Sequence, residues 1–461
     1  MIGRPEPVAI SRRQMIQALG GGFGALGLAS LLAPQANAAA TAARGPHFRP
    51  RAKRVIQLFM NGGPFGPDLF DRKPALNKYA GQRPRAVELR TENQTGGLMP
   101  VPFQFRRCGK SGVEVSELLP HLAQCIDDVC VIRSLHTDNP NHGPALYLMN
   151  NGSMTPTRPS MGAWLSYGLG SENANLPGYV VLCPGRPVRF AELWASAFLP
   201  GEHQGTYVNP TDLDPAKMLP FLRSRTLSPE EQRRQLDLMR RLNEGHLAQR
   251  GPDPALEARI RSMETAFRMQ SEARDAFAIG REAPRVRAEY GEGPFAHGCL
   301  LARRLAERGV RFVQVYYGNG QPWDTHRNHN DTTRKLCQDI DRPIAALLTD
   351  LKRRGLLDDT LVIWGGEFGR TSTSESGDGR DHNHWGFTVW LAGGGVRGGT
   401  AYGATDEFGF RAVTDKVHVH DLHSTVLHLL GIDHERLTYR YAGRDFRLTD
   451  VYGEVVRAIL A

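Results

Sequence analysis

Histidines and acids gather in a few short stretches of this chain, and their types limit the chemistry open to it. Asp324, His326 and His329 place one acid and two imidazoles within six residues. His382 and His384 add two imidazoles at alternate positions, which share a side wherever the backbone is extended. Imidazole and carboxylate together are the ligand set for ions such as zinc, manganese or iron. A divalent ion in a dry cleft activates a hydroxyl or water and stabilises an oxyanion. Other polar stretches stand ready to join them. One runs from Asn61 through Gly62, Gly63 and Pro64 to Asp68 and Asp71. Another contains His136, Thr137, Asp138 and His142, and a third contains Glu367 and Arg370.

Groups so far apart in the chain need rigid elements to bring them together. Near-continuous apolar runs at Arg54–Met60, Val129–Ile132, Tyr179–Leu182, Val310–Tyr317, Leu361–Trp364 and Thr388–Leu391 read as buried strands. Helical spacing falls between them, over Val115–Cys125, Ser160–Leu169, Pro294–Arg308, Thr332–Arg354 and Leu422–Leu430. Alternating buried strands and helices predict a three-layer α/β fold, a mostly parallel sheet with helices on both faces. Ligands gather at the carboxyl ends of such strands, where these polar stretches begin. Ser160 reads as a helix N-cap. Residues 228–286 change character, with long charged side chains and Leu/Met at helical spacing. Ser228-Pro229-Glu230-Glu231 opens this segment as a helix start, predicting a helical insertion on the α/β body.

The 461 residues, 40% apolar and 23% charged, exclude a disordered, collagenous or small disulfide-scaffold protein. The formal charge of +9 is spread along the chain, which argues against a nucleic-acid reader and for anionic ligands. Ser11-Arg12-Arg13-Gln14-Met15-Ile16, a short apolar stretch over Ala18–Ala33 and Ala36-Asn37-Ala38 follow the order of a twin-arginine signal peptide. The expectation is a leader over 1–38, a mature domain over 39–461, and the twin-arginine machinery as export partner. The destination is then periplasmic or secreted, with no stable membrane span after cleavage. Cys125 and Cys130 either bridge or remain buried free thiols.

The stretches Asn61-Gly62-Gly63-Pro64 with Phe70-Asp71-Arg72-Lys73-Pro74, Asn141-His142-Gly143-Pro144-Ala145, Arg158-Pro159-Ser160-Met161-Gly162-Ala163-Trp164, Gly365-Gly366-Glu367-Phe368-Gly369-Arg370-Thr371 and Gly379-Arg380-Asp381-His382 closely resemble the exported "domain of unknown function 1501" family. That family is similar to a distant branch of the alkaline phosphatase/sulfatase superfamily. The resemblance implies an alkaline-phosphatase-like fold. It also implies roles by position. Asn61 stands where a metal-binding Asp is expected. Thr137, or Asp138 as its rival, stands at the nucleophile. Asp324 with His329 or His326 stands at an Asp…His metal pair, and His382 or His384 at a final metal ligand. Glu367 can replace an Asp as ligand, whereas Phe368 cannot replace a His. His136 or His142 would transfer a proton. Neither Cys183-Pro184-Gly185-Arg186 nor Met154-Thr155-Pro156-Thr157-Arg158 fits the frame that sulfatases convert to formylglycine.

The expectation is an exported hydrolase of phosphate or sulfate esters, on a small-molecule or glycan substrate. It would depend on a divalent metal: zinc, manganese or calcium. The alternative is a non-catalytic exported binding or scaffold protein with a degraded hydrolase site, for which Asn61 and Phe368 speak.

Overall fold

Arg54–Phe59 (β1) is buried along its whole length, as a strand covered on both faces must be. Successive side chains alternate: Ile56 and Leu58 enter one core, Val55 and Phe59 the other. This is a computed structural model, and it describes residues 45–219, 226–251 and 253–461. The expected leader, residues 1–38, lies outside the described residues.

Ten further strands matter here: Val129–His136 (β2), Tyr179–Leu182 (β3), Thr206–Val208 (β4), Phe312–Tyr316 (β5), Thr360–Gly365 (β6), Gly369–Glu375 (β7), Gly379–Asn383 (β8), Phe387–Ala392 (β9), Thr400–Tyr402 (β10) and Val417–His418 (β11). The main sheet has nine strands in the order β10-β2-β9-β6-β1-β5-β3-β4, with β11 also on β2. All pairs are parallel except those of β9, which runs against both neighbours, β2 and β6. Phe59 pairs with both Tyr316 and Gly365, so β1, β5 and β6 end level. Their following loops leave from one edge. Because β9 is reversed, its entry segment, which carries His382 and His384, arrives at that same edge.

The helices are His142–Asn151 (α1), Met161–Leu169 (α2), Pro229–Arg250 (α3), Pro254–Ala276 (α4), Pro294–Glu307 (α5), His329–Arg353 (α6) and Val419–Leu429 (α7). Buried side chains of α5 and α6 join the core on one face of the sheet, and those of α1, α2 and α7 the core on the other. The architecture is thus three-layered and mostly parallel. Its mid-plane carries a closed polar set: Tyr179 donates to Gln314 (2.8 Å), and Gln314 donates to Gln57 (3.2 Å) and Asn150 (2.6 Å). Buried amides are tolerated only when paired in this way.

Ser160 and Ser228 both cap helices, accepting from Ala163 N–H (3.3 Å) and Glu231 N–H (3.2 Å). Within 228–286 lie two long helices, α3 and α4. The helix expected over Val115–Cys125 does not form. Val113–Ser116 pairs with Phe105–Cys108 as a hairpin, and Leu122–Asp128 makes a 3-10 helix. The apolar spacing fits both readings, but Pro120 has no N–H to donate. Asp341 of α6 accepts instead from His121 and Leu122 N–H, both at 2.8 Å. All six cysteines are free thiols, so Cys125 and Cys130 do not bridge. Among the described residues no helix is long and apolar enough to cross a membrane.

Candidate metal centre

One carboxylate oxygen is the focus of the site. Asp324 Oδ1 lies 3.2 Å from His142 Nε2, 2.9 Å from His326 Nε2 and 3.1 Å from His382 Nε2. Three elements deliver these imidazoles: the first residue of α1, the loop after β5, and β8 just before the reversed strand β9. Gly62, with φ +114°, makes the approach possible: a Cβ there would stand 2.4 Å from the backbone nitrogen of Asp324. Its positive φ and lack of side chain are both used.

Each imidazole is oriented from behind. His142 Nδ1 is 2.7 Å from Glu367, His326 Nδ1 is 2.5 Å from Glu375, and His382 Nδ1 is 2.7 Å from both Glu92 and the Pro140 carbonyl. An ionised carboxylate only accepts, so each Nδ1 carries a proton and each Nε2 faces inward, offering a lone pair when the ring is neutral. Carboxylate behind, imidazole between and ion in front is the usual support of a metal-bound histidine. Glu367 is fully buried and also takes the Gly62 N–H, at 3.0 and 3.2 Å. Asp381 accepts from Asn93 N–H (2.6 Å) and side-chain amide (3.2 Å), which holds the loop bearing Glu92.

The inward nitrogens crowd one carboxylate oxygen, so positive charge, from protons on the rings or from a cation, sits among them. His326 Nε2 and His382 Nε2 are only 3.0 Å apart, so one proton at most fits between them. His142 Nε2 is buried and makes no hydrogen bond among the described residues, despite its 3.2 Å approach to Asp324. For ligands about 2.0–2.1 Å from a common tetrahedral ion, neighbouring donor atoms stand roughly 3.3 Å apart. The observed 2.9–3.2 Å lies close to that. His142, Asp324 and His382 form one set of donor atoms within 4.8 Å of one another, and His326, Asp381 and His382 an overlapping one. Each set offers three donors to a divalent cation, and His142 and His326 do not fall in one set.

With no ion bound, protons on the imidazoles supply that charge. Burial opposes ionisation of Asp324, but His142, His326, His382 and Arg370 outweigh it and hold the carboxyl far below the usual range. Asp324 and, against burial, Glu375 raise His326 to about 9. Burial works to lower His142, and Asp324 with Glu367 overcome it to raise it. The Phe368 ring stands 4.7 Å from the His142 ring and 4.8 Å from that of His382, walling the centre with a fully buried aromatic.

Several residues singled out in the sequence stand elsewhere. His329 is buried with both ring nitrogens taken, 2.6 Å from Thr325 Oγ1 and 2.7 Å from Asp68, so it has no lone pair for an ion. His384 does not follow His382. β8 ends at Asn383, and the His384 ring packs on Trp385 (4.5 Å), where burial lowers its pKa to about 4. Asn61 spends its amide on the Gly318 and Gly320 carbonyls. Asp138 pairs with His418 (3.2 Å), and the His136 ring faces His418 at 5.2 Å. Thr137 donates its N–H to the His384 carbonyl (3.0 Å), while its buried Oγ1 has no partner among the described residues. Glu367 stands behind His142, and His142 itself faces the centre. Arg370, Arg380 and Arg397 donate to the carbonyls of Gly63, Thr371 and Leu460 respectively. Glu92 and Glu375 carried no sequence signal, since each is a lone acid outside the histidine stretches.

Among solved structures, the chain is similar to the PsFucS1 sulfatase from Pseudoalteromonas sp., at 13% identity over 84% of this chain and 69% of that one, with a TM-score of 0.36. It is also similar to the lipoteichoic acid synthase LtaP from Listeria monocytogenes, at 10% identity over 87% and 76%, with a TM-score of 0.37. A third is the TAB5 alkaline phosphatase, at 10% identity over 83% and 98%, with a TM-score of 0.35. No curated protein matches the sequence. The family model described as "Protein of unknown function (DUF1501)" matches residues 52–460, and the chain belongs to that family.

Proposed function

We propose that this chain is an exported, metal-dependent hydrolase of phosphate or sulfate esters. The observation that carries the reading is the set of three imidazoles, each anchored at Nδ1 and turned at Nε2 toward one Asp324 oxygen. Asp324 and His382 would hold the ion, with His142 or His326 as third ligand. Two imidazole nitrogens and one carboxylate suit zinc with a position left open, or manganese less well. Calcium takes six to eight oxygen ligands and does not suit this set. When bound, such an ion supplies Lewis-acid stabilisation of negative charge on an ester oxygen.

The chain's own groups do the rest. Glu367, Glu375 and Glu92 keep the imidazoles in the tautomer that faces inward. Phe368 excludes water from one side. Thr137 is assigned the attacking hydroxyl, because its Oγ1 is buried and unengaged whereas Asp138 is committed to His418. Residues 1–38 would direct export of the folded chain by the twin-arginine route, consistent with a site loaded before export.

Metal analysis of the purified protein, followed by turnover of aryl phosphate, phosphodiester and aryl sulfate esters, tests this. The expected result is near-stoichiometric metal, lost in Asp324→Ala, with turnover of at least one ester class. Thr137→Ala should keep the metal and lose turnover. Metal-free protein overturns the reading. Bound metal with no turnover of any ester supports the binding-protein alternative, which the commitment of Asn61 to backbone carbonyls favours by leaving a single-ion site.

A further inference from the structure

We infer that Arg189 recognises the anionic group of the substrate at this centre, an inference that rests on the proposed function above. A ring of acids surrounds the site: Asp324, Glu367, Glu375, Glu92 and Asp381 all lie in or directly behind it. Arg370 is fully buried and divides its donors among the carbonyls of Gly62, Gly63 and Arg380 and the Asp324 carboxylate. Beyond the ion itself, an anionic ester meets carboxylates there unless a side-chain cation receives it.

Arg189 is placed to do so. Leu182, the last residue of β3, pairs with Val315 of β5, so the loop after β3 leaves from the edge that bears Asp324 and His326. In that loop Arg189 adopts φ +67°, a left-handed conformation uncommon for a residue with a side chain. Such strain persists where the surroundings hold it, often at functional sites. The turn lays its guanidinium against Gly143, the residue after His142. A Cβ on Gly143 would stand 2.7 Å from one terminal guanidinium nitrogen of Arg189 and 3.0 Å from Nε. A methyl at Gly143 would move the guanidinium aside.

Arg189 is exposed, and its donors are open to solvent or a ligand. Among the described residues no carboxylate or carbonyl accepts from its guanidinium, and its side-chain neighbour is the Tyr147 ring, 5.8 Å away. Glu192, the nearest candidate partner in sequence, instead accepts from the Tyr147 hydroxyl. A planar guanidinium with free donors matches two oxygens of a tetrahedral phosphate or sulfate group at once.

Inorganic phosphate and inorganic sulfate, titrated calorimetrically into the zinc-loaded full chain, test this. Arg189→Ala should weaken the anion that the wild type binds by about 10–100-fold, the range for a charge-assisted hydrogen-bonded pair. Arg189→Lys should restore part of that loss. Gly143→Ala leaves every charge in place and suits a helix, so its weakening of the anion isolates the position of the guanidinium. Zinc content should match the wild type in all three variants. Unchanged anion affinity in Arg189→Ala and Gly143→Ala overturns the inference and leaves the metal reading standing. So does a zinc-loaded wild type that binds neither anion. A wild type that holds no zinc removes the metal reading, and this inference with it.

Discussion

His326 and His329 are the same residue three positions apart, and the fold gives them opposite tasks. His326 is held by Glu375 and turned to Asp324, while His329 is locked between Thr325 and Asp68. Asp68 and His329 are both essentially inaccessible to solvent. His329→Ala should therefore cost about 1–3 kcal/mol, the penalty for leaving a buried hydrogen-bonding group without its partner. The fraction that still folds should retain its metal. His382→Ala should show the reverse, with metal lost and little change in the urea midpoint of the metal-free protein. Metal analysis beside urea denaturation separates the two; a His329→Ala protein that folds well but is metal-free would make His329 a ligand. The contrast also marks how far the site was legible. Residue types placed Asp324, His326 and His382 in a candidate cluster, because histidines and acids are rarely grouped without cause. They could not say which imidazole keeps a free lone pair. That depends on Thr325, Asp68, Glu92 and Glu375, whose contacts with the ring nitrogens are made by the fold, not by spacing.

At the scale of elements, the strands were the most legible part. Six apolar runs all became members of the main sheet, since a strand covered on both faces must be apolar throughout. The β7/β8 hairpin escaped notice because it is buried yet polar. Its Arg370, Arg380, Asp381 and His382 are paired internally, so no apolar alternation marks it. The direction of β9 was equally silent, yet it brings His382 to the shared edge. What remains is the fit between loops, and Gly62 tests it. Gly62→Ala would set a methyl against the Asp324 backbone, with φ +114° adding strain. Backbone strain of this kind costs on the order of 1–3 kcal/mol. The expected outcome is a fall of at least tenfold in metal affinity, read by competition with a chelating dye. Unchanged affinity would mean the Asp324 loop does not depend on that contact. The cap at Ser160 makes a control at the same scale: Ser160→Ala should lose about 1 kcal/mol of stability and no metal.

Across the whole molecule, stability should depend on pH and on metal for separate reasons. Burial lowers His203 to about 4 and His423 to about 3, and His423 donates Nε2–H to the Met149 carbonyl at 2.9 Å. In the unfolded chain each takes up a proton near pH 6.5. Where the unfolded state binds more protons, stability falls as pH falls. The contribution is complete above about pH 6.5 and drains away down to pH 3–4, with a slope of up to about 1.4 kcal/mol per unit for each group. His423→Gln keeps an amide donor but cannot titrate, so its urea midpoint should depend less on pH between 6.5 and 4. An unchanged slope would assign acid lability to other groups. Metal acts through sequence separation. His142, Asp324, His326 and His382 are distant in the chain and meet only when the sheet edge is assembled, so the unfolded state offers no comparable site. An ion that binds only the folded state stabilises it by about 2.7 kcal/mol at a hundred times its dissociation constant. For a chain of this length, that is about 3 °C in melting temperature. Zinc should raise the Tm of metal-stripped protein by about that amount, increasing with concentration, and a chelator should reverse it. Asp324→Ala should abolish the increment and His329→Ala should keep it. A Tm indifferent to zinc would show that the imidazoles are held together by their carboxylate partners alone.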